Sequence, residues 1–408
     1  MRVGVTLTAQ TPLALRSGRD TERADTLDHI PGATLLGSLA GAHAALRPSQ
    51  KDEFATLFLE GRVRFGNAYP ATFDRDELTD DTCPVLPLPR TARSCKRFPG
   101  FRFQADPDHD YHGVTDQLIP WALFALSEER LHAPLEQGAR CTHALPTGPC
   151  GQTTDMLRGY FRRGNARRQI GRSRVSTALV TRTGINRNTG TAEQAVLYSR
   201  EVMRKGSRFW CPINVPDDLF AVFRAFVEEA SAGGWVRVGT NRTRGLGRIG
   251  ITSISQVGDD SLETLAARAR QFTAALHEAA AKCGLQARHA LYVPVTLMSD
   301  AILPDALFRY RTQLDSDYLR DESGITGAEL VYHTAGMRRV IGWNDLAGLP
   351  KPDEIAIAMG SVFLFGFDRE PDFAQLYRLQ TDGIGTQTII GFGRVAVADP
   401  FHWEVTSA

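Results

Sequence analysis

The chain has 408 residues, 42% of them hydrophobic, and a formal net charge of +1 at pH 7. This length predicts two or three domains with sizeable cores, and a net charge so near zero does not by itself indicate a nucleic-acid binder. No run of about 18 apolar residues occurs, and the opening MRVGVTLTAQTPL lacks the apolar stretch of a signal peptide. The six cysteines are too irregularly spaced for a disulfide scaffold. We therefore expect a cytoplasmic protein without a membrane partner, whose cysteines are free thiols or metal ligands.

The N-terminal part begins with a strand pattern followed by helices. Residues 2–10 alternate apolar and polar side chains, which predicts a half-buried strand. A charged loop at 11–30 precedes a helix of small residues that Thr34 could cap. Residues 51–60 predict a second helical segment. Between about 70 and 160 prolines are dense and four of the six cysteines occur, which predicts an insertion with little regular structure.

The remaining patterns describe a hairpin, a helix and a second domain. Residues 170–200 predict a long β-hairpin with turn chemistry at 188–190. An amphipathic helix in DDLFAVFRAFVEEAS is followed by a strand, a glycine-rich loop and a strand. Residues 258–285 predict a charged, alanine-rich helix that connects the two domains. A new strand pattern then opens the C-terminal domain, 286–408.

The two halves repeat the same order of elements. Each opens with an alternating strand, and each closes with a helix, a glycine-rich loop and a strand. This order predicts an α+β protein with two ferredoxin-like (RRM-like) units of β-α-β-β-α-β topology. The first unit spans 1–257 and contains both the insertion and the hairpin.

The first glycine-rich loop carries arginines that suit phosphate binding. A flexible strand connection is the alternative, but a plain turn needs no arginine. Its expected RNA contacts are Arg242, Thr243, Arg244, Gly245, Gly247 and Arg248.

The second loop lies at the same position in the C-terminal domain and is expected to bind RNA or to dock a neighbouring subunit. Its expected contacts are Gly383, Gly385, Thr386, Gln387, Gly391, Gly393 and Arg394. A dinucleotide site is disfavoured, because both sets of glycines precede a strand rather than a helix.

Two basic stretches also favour a polyanion. No acidic residue occurs between Asp155 and Glu193, and the arginines there that we expect to contact RNA are Arg172, Arg174, Arg182 and Arg187. The other stretch, 90–103, interleaves arginines with phenylalanines, which suits base stacking but is equally consistent with a core.

The insertion contains a candidate metal site. Zinc prefers four thiolate or imidazole ligands, and we select Cys95, His112, Cys141 and Cys150 as the zinc ligands. No CxxC pair is present, so unliganded thiols are the alternative. A bound zinc ion would explain how a proline-rich insertion stays ordered.

Catalytic signatures are weak. The sequence contains no Walker loop or HExxH motif. Asp20, Asp25 and Asp28 in the loop before Pro31 could act in RNA cleavage, as could the adjacent His29, although charged loops are usually only solvated.

The segment HIPGATLLGSL at 29–39 resembles a signature of the RAMP superfamily of CRISPR-associated proteins, and both glycine-rich loops resemble loops of that family. The insertion, with SCKRFPGF and HGVTDQL, is similar to that of the double-RAMP subunit of type III-D effectors. The resemblance implies a non-catalytic subunit that caps the 5′ handle of crRNA. It also implies that Thr34 and Ser38 of the signature lie near RNA and that the hairpin at 170–200 is a thumb between guide and target RNA.

The implied partners are crRNA, target RNA, the large polymerase-like CRISPR subunit and RAMP backbone subunits. One alternative is a RAMP endoribonuclease that cleaves target RNA or precursor crRNA through a loop aspartate or His29. The other is a zinc-stabilised protein-interaction module whose arginines bind an acidic partner.

Overall fold

A computed structural model describes residues 1–16, 25–74, 78–102, 111–128, 131, 140–145, 148–164, 169–185, 192–258, 260–344 and 347–405, with the backbone alone at 183–185, 192–198 and 343–344. Asp20 and Arg187 lie outside these ranges, as does the predicted hairpin turn at 188–190. Within the described ranges, no helix combines the length and apolarity needed to cross a membrane.

The first domain begins with β1 (Arg2–Ala9), α1 (Gly32–Leu46), α2 (Lys51–Phe58), β2 (Arg64–Phe65) and β3 (Tyr69–Pro70). The insertion follows, with β4 (Val85–Pro87), β5 (Ala92–Cys95), β6 (Val114–Asp116), α3 (Leu118–Leu126), β7 (Ala144–Leu145), β8 (Gly148–Pro149), β9 (Thr154–Met156), β10 (Tyr160–Arg163) and β11 (Ile170–Ser173). Next come the hairpin β12 (Thr177–Ile185) and β13 (Ala192–Met203), then β14 (Arg208–Asn214), α4 (Asp217–Ala232), a 3₁₀ turn (Arg242–Arg244) and β15 (Ile249–Gln256).

The main sheet of the first domain has the strand order β15-β1-β14-β2. Counting only the strands of the β-α-β-β-α-β unit, this is the order 4-1-3-2 of a ferredoxin-like fold. The prediction of a half-buried first strand is wrong, because five consecutive residues of β1 are buried. Val3, Val5 and Leu7 join the core with α1 and α4, while Trp210 covers the strand at Gly4, where a Cβ atom would lie 2.5 Å from the indole nitrogen.

The insertion is more regular than the sequence predicts. Strands β11, β10 and β4 form one small sheet, and β6, β5 and β9 form another. Its proline-rich segments connect short strands of two to four residues, which are too short to give a clear periodicity.

The second domain contains α5 (Leu262–Lys282), β16 (Leu291–Leu297), α6 (Ser316–Ser323), β17 (Ala328–Thr334), β18 (Met337–Val340), β19 (Trp343–Asn344), β20 (Leu349–Pro350), β21 (Glu354–Ile357), β22 (Val362–Phe367), α7 (Phe373–Asp382), a 3₁₀ turn (Thr388–Ile390), β23 (Val395–Val397) and α8 (Phe401–Glu404). Its main sheet has the order β17-β22-β16-β23, which is the same ferredoxin-like arrangement.

Helix α5 packs against the second sheet. Leu265 and Ala269 belong to the core formed with β16 and α7, whereas Phe272 and Leu276 pack with α3 of the insertion. The helix predicted to connect the domains thus also holds the insertion against the C-terminal domain.

Candidate RNA-binding loops and metal centre

The two glycine-rich loops follow one backbone path, 146 residues apart in sequence. Asn241 has φ 60° and Gln387 has φ 61°, both left-handed although neither residue is glycine. Gly245 and Gly391 close the 3₁₀ turns with φ of 82° and 99°. The repeat therefore extends to individual backbone angles.

The loops are also held by equivalent hydrogen bonds. Thr240 N donates to Ala14 O at 2.9 Å, and Thr386 N donates to Ile302 O at 3.0 Å. Each loop is thus tied to the segment that follows the first strand of its own domain. The two loops differ in the side chains at their tips.

The tip of the first loop points into solvent. Arg242, Thr243, Arg244 and Gly245 are all exposed, and so is Arg248 just beyond the tip. Gly247 is buried, and its backbone N donates a hydrogen bond to the Pro12 carbonyl at 3.0 Å.

Strand β13 braces this loop, since Arg200 Nη1 donates to Thr240 Oγ1 at 3.0 Å. The structure thus places three arginines, at 242, 244 and 248, on one exposed and braced loop.

The second loop is docked on the first domain of the same chain. A Cβ atom on Gly391 would lie 2.8 Å from Asn67 Oδ1, and one on Gly32 would lie 2.6 Å from the Ile390 carbonyl. The sequence predicts that this loop binds RNA or docks a neighbouring subunit; in the structure it contacts the first domain of its own chain. Gly385 and Thr386 stay exposed, whereas Gly383, Gln387, Gly393 and Arg394 are half-buried or buried.

In the signature segment, the structure assigns different roles from those expected. Helix α1 starts after Pro31 without a side-chain cap from Thr34, so that prediction is wrong. Instead, Asn67 Oδ1 accepts a hydrogen bond from Gly32 N at 2.9 Å. Ser38 is buried, and its Oγ accepts a hydrogen bond from Arg237 N at 2.9 Å, which gives Ser38 a role in the packing of the domain.

The arginine-rich stretch divides into buried and exposed members. Arg172 is 8% exposed, and its guanidinium donates to the Arg158 carbonyl within the insertion. Burial, with a contribution from nearby Arg174, lowers the pKa of Arg172 to about 10. Arg174 is exposed and Arg182 on β12 is partly exposed, so both stay available to a polyanion.

The second basic stretch is partly core. Phe101 is 1% exposed and packs in the insertion. Phe98 lies against His112, with ring centroids 4.4 Å apart, and Arg97 lies over the Phe98 ring.

Asp28 and His29 form a polar cluster with Tyr160, which sequence reasoning missed because Tyr160 lies 132 residues further on. Asp28 Oδ1 is 2.8 Å from His29 Nδ1 and accepts from the Tyr160 hydroxyl at 2.9 Å. The Asp28 side chain is 55% exposed; partial desolvation opposes its ionisation, but hydrogen bonds from His29 and Tyr160, together with electrostatic attraction, lower the pKa of Asp28. His29 is 4% exposed, which does not suit a general base that must reach a scissile phosphate. Asp25 is exposed.

The four candidate zinc ligands lie together. One ligand atom from each of Cys95, His112, Cys141 and Cys150 falls within 4.8 Å of all the others. Cys95 ends β5, and Cys141 and Cys150 flank the β7–β8 hairpin. The fold thus brings Cys95 close to two cysteines that lie 46 and 55 residues further along the chain.

Backbone hydrogen bonds fix this geometry. Cys150 N donates to His143 O at 2.8 Å, and Gly151 N donates to Cys141 O at 3.0 Å. Without a cation, burial and the neighbouring thiols of Cys95 and Cys150 raise the pKa of Cys141 to about 11, although a backbone hydrogen bond from His143 opposes this. Three thiols and an imidazole so arranged fit a tetrahedral zinc ion.

Comparisons with known proteins give the family. The RAMP superfamily matches residues 6–250, more than half of the chain. No curated protein is significantly similar to this chain.

Among solved structures, a type III-B Cmr-beta complex bound to cognate target RNA and AMPPnP shows 13% identity and a TM-score of 0.40, covering 89% of this chain and 86% of that one. A Cas6-related protein from Pyrococcus furiosus shows 8% identity and a TM-score of 0.37, covering 97% and 98%. These structural likenesses are too distant to say what this chain binds. The superfamily match is decisive: the chain belongs to the RAMP superfamily.

Proposed function

We propose that this protein is an RNA-binding, non-catalytic subunit of a type III CRISPR ribonucleoprotein, where it grips the 5′ handle of crRNA and caps the filament of backbone subunits. One observation carries the proposal. At the positions of Arg242 and Arg244 in the first loop, the second loop has Thr388 and Ile390 and is docked against the first domain. The repeat thus keeps one loop for internal packing and leaves the arginine-bearing loop exposed.

Charge and position support RNA as the ligand of the exposed loop. Arginine forms bidentate hydrogen bonds to phosphate. Glycines adopt φ angles that other residues rarely adopt, and they let the backbone approach a ligand closely. The arginine-bearing hairpin β12–β13 adjoins this loop through Arg200 and Thr240. Membership of the RAMP superfamily agrees with a role in CRISPR ribonucleoproteins, with a polymerase-like subunit and RAMP backbone subunits as partners.

We also propose that Cys95, His112, Cys141 and Cys150 bind a structural zinc ion. All four side chains are used, which leaves no open coordination position for a substrate, and structural sites are closed in this way. The ion would join β5 to the β7–β8 hairpin and so order the insertion.

An endoribonuclease is the alternative. It would act through Asp25, Asp28 or His29, and Tyr160 adds a third polar group to that cluster. The burial of His29 favours a structural role for this histidine, whereas Asp25 and Asp28 are exposed.

Sequencing the RNA that copurifies with the full chain tests the proposed function. We expect short RNAs that share one 5′ sequence, since a handle-binding subunit selects that end. RNAs with random 5′ ends, or purified protein free of RNA that gains no affinity for added crRNA, would contradict the proposal. Cleavage of crRNA or target RNA that is lost in Asp28→Ala would instead establish the endoribonuclease.

A further inference from the structure

A cavity of about 350 Å³ lies between the two domains, away from the exposed loop. The first domain contributes the beginning of β1 and β2, and the second contributes the end of α7 and the docked loop. The residues that decide its chemistry are Arg2, Arg62, Arg64, Tyr377, Phe392 and Arg394.

Four of these six side chains are arginines, and the cavity also contains the carboxylates of Asp260 and Asp382. Asp260 pairs with an arginine outside the cavity, whereas Asp382 faces one of the cavity arginines. Asp260 pairs with Arg268 at 2.7 Å, and Asp382 lies 3.5 Å from Arg64.

Arg394 differs from the other arginines of the cavity. Across the described part of the chain, no carboxylate pairs with its guanidinium, and its backbone N donates to Ser299 Oγ at 2.9 Å. The guanidinium passes over Gly66, where a Cβ atom would lie 2.5 Å from Nη1. A glycine on the first domain thus makes room for an arginine of the second.

An anion would balance this charge. Desolvation of the half-buried Arg394 side chain and the neighbouring charge of Arg2 lower the pKa of Arg394 to about 9. A phosphate beside Arg394 would favour the charged form, because arginine pairs bidentately with phosphate oxygens.

The size and lining of the cavity indicate more than an inorganic ion. Its volume lies in the range of small-molecule sites, about 300–1,000 Å³. The half-buried rings of Tyr377 and Phe392 add aromatic surface on which a base could stack.

We propose that the interdomain cavity binds a nucleoside 5′-phosphate, either free or at the end of an RNA, with the phosphate at Arg394. The inference goes beyond the proposed function, because the exposed loop at 239–248 takes no part in this site. Since Arg2 and Arg64 come from one domain and Arg394 from the other, the ligand would also hold the two domains together.

Isothermal titration of the full chain with AMP, adenosine and inorganic phosphate tests the site. We expect AMP to bind more tightly than either fragment, and Arg394→Gln to weaken AMP binding about tenfold or more, since a hydrogen-bonded charge is lost. Arg270→Gln removes an exposed arginine that pairs with Glu370 outside the cavity, and it should leave AMP affinity unchanged. A 5′-phosphorylated tetranucleotide that binds more tightly than its 5′-hydroxyl form, except in Arg394→Gln, would identify an RNA end as the source.

The proposal is overturned if neither AMP nor the phosphorylated tetranucleotide binds, if adenosine or inorganic phosphate binds as tightly as AMP, or if Arg394→Gln binds like the wild type. Should Arg394→Gln fail to fold by thermal melting, Arg64→Gln decides, because Arg64 is partly exposed at the rim and its loss spares the core. Unchanged AMP affinity in Arg64→Gln would then overturn the site. Variants of the exposed loop test the proposed function separately.

Discussion

At the residue scale, three thiols and an imidazole of the insertion meet at one point, and arginines that are close in sequence differ in exposure. Cys95, His112, Cys141 and Cys150 could be selected because thiols and imidazoles are few and their chemistry is specific. Arg172 and Arg174 are indistinguishable in sequence, yet one is buried against the Arg158 carbonyl and the other is exposed. The contact of Tyr160 with Asp28 could not be predicted, since no local pattern joins residues so far apart.

The metal site leads to a prediction about single cysteines. Elemental analysis of freshly purified protein should find about one zinc ion per chain, and Cys141→Ser or Cys150→Ser should lose it, because a serine hydroxyl is a poor zinc ligand. Cys283→Ser is the matched control, since Cys283 is exposed and does not belong to the cluster. Full zinc content in Cys141→Ser would exclude this ligand set.

Asp28 leads to a prediction about pH. Its pKa is lowered in the folded protein, so its contribution to stability is present above the unfolded pKa of about 4 and is lost as the pH falls through the folded value. The difference in melting temperature between wild type and Asp28→Asn should therefore be greatest near neutral pH and should shrink in acid. A difference that stays constant from pH 7 to pH 3 would show that the carboxylate charge contributes nothing.

At the element scale, the order of strands and helices was predictable, whereas the docking of elements was not. Each half shows strand, helix, glycine-rich loop and strand in sequence, and both sheets have the corresponding ferredoxin-like order. The two loops differ in sequence mainly at their tips, where Thr388 and Ile390 stand at the positions of Arg242 and Arg244. Only the contacts of Gly391 and Ile390 with the first domain show that one loop is internal.

Equivalent glycines in the two loops test this difference. Gly245→Ala places a side chain in open space at φ 82° and should cost about 1 kcal/mol of backbone strain. Gly391→Ala adds a collision with Asn67 and the Phe65 carbonyl to the same strain, so its free energy of unfolding should fall further. Denaturant melts of the two variants measure the contrast, and equal losses would mean that the second loop is not docked in solution.

At the scale of the whole molecule, the two domains share one topology, but their glycine-rich loops are placed differently. The second loop contacts the first domain, α3 of the insertion packs with α5, and the first loop stays exposed. A net charge of +1 conceals this arrangement, because exposed arginines on one loop are offset by acidic residues elsewhere.

The exposed loop gives the most direct test of RNA binding by this protein. The affinity for a crRNA-like oligonucleotide is measured against salt concentration for wild type and for the double variant Arg242→Ala with Arg244→Ala. A charge-matched control, Arg270→Ala with Arg320→Ala, removes two exposed arginines that are paired with acids. We predict about tenfold weaker binding for the loop variant and a slope of log affinity against log salt reduced by about 1 to 1.5, because fewer counterions are released. The control should bind like the wild type, and an unchanged affinity and slope in the loop variant would contradict the assignment of this loop to RNA.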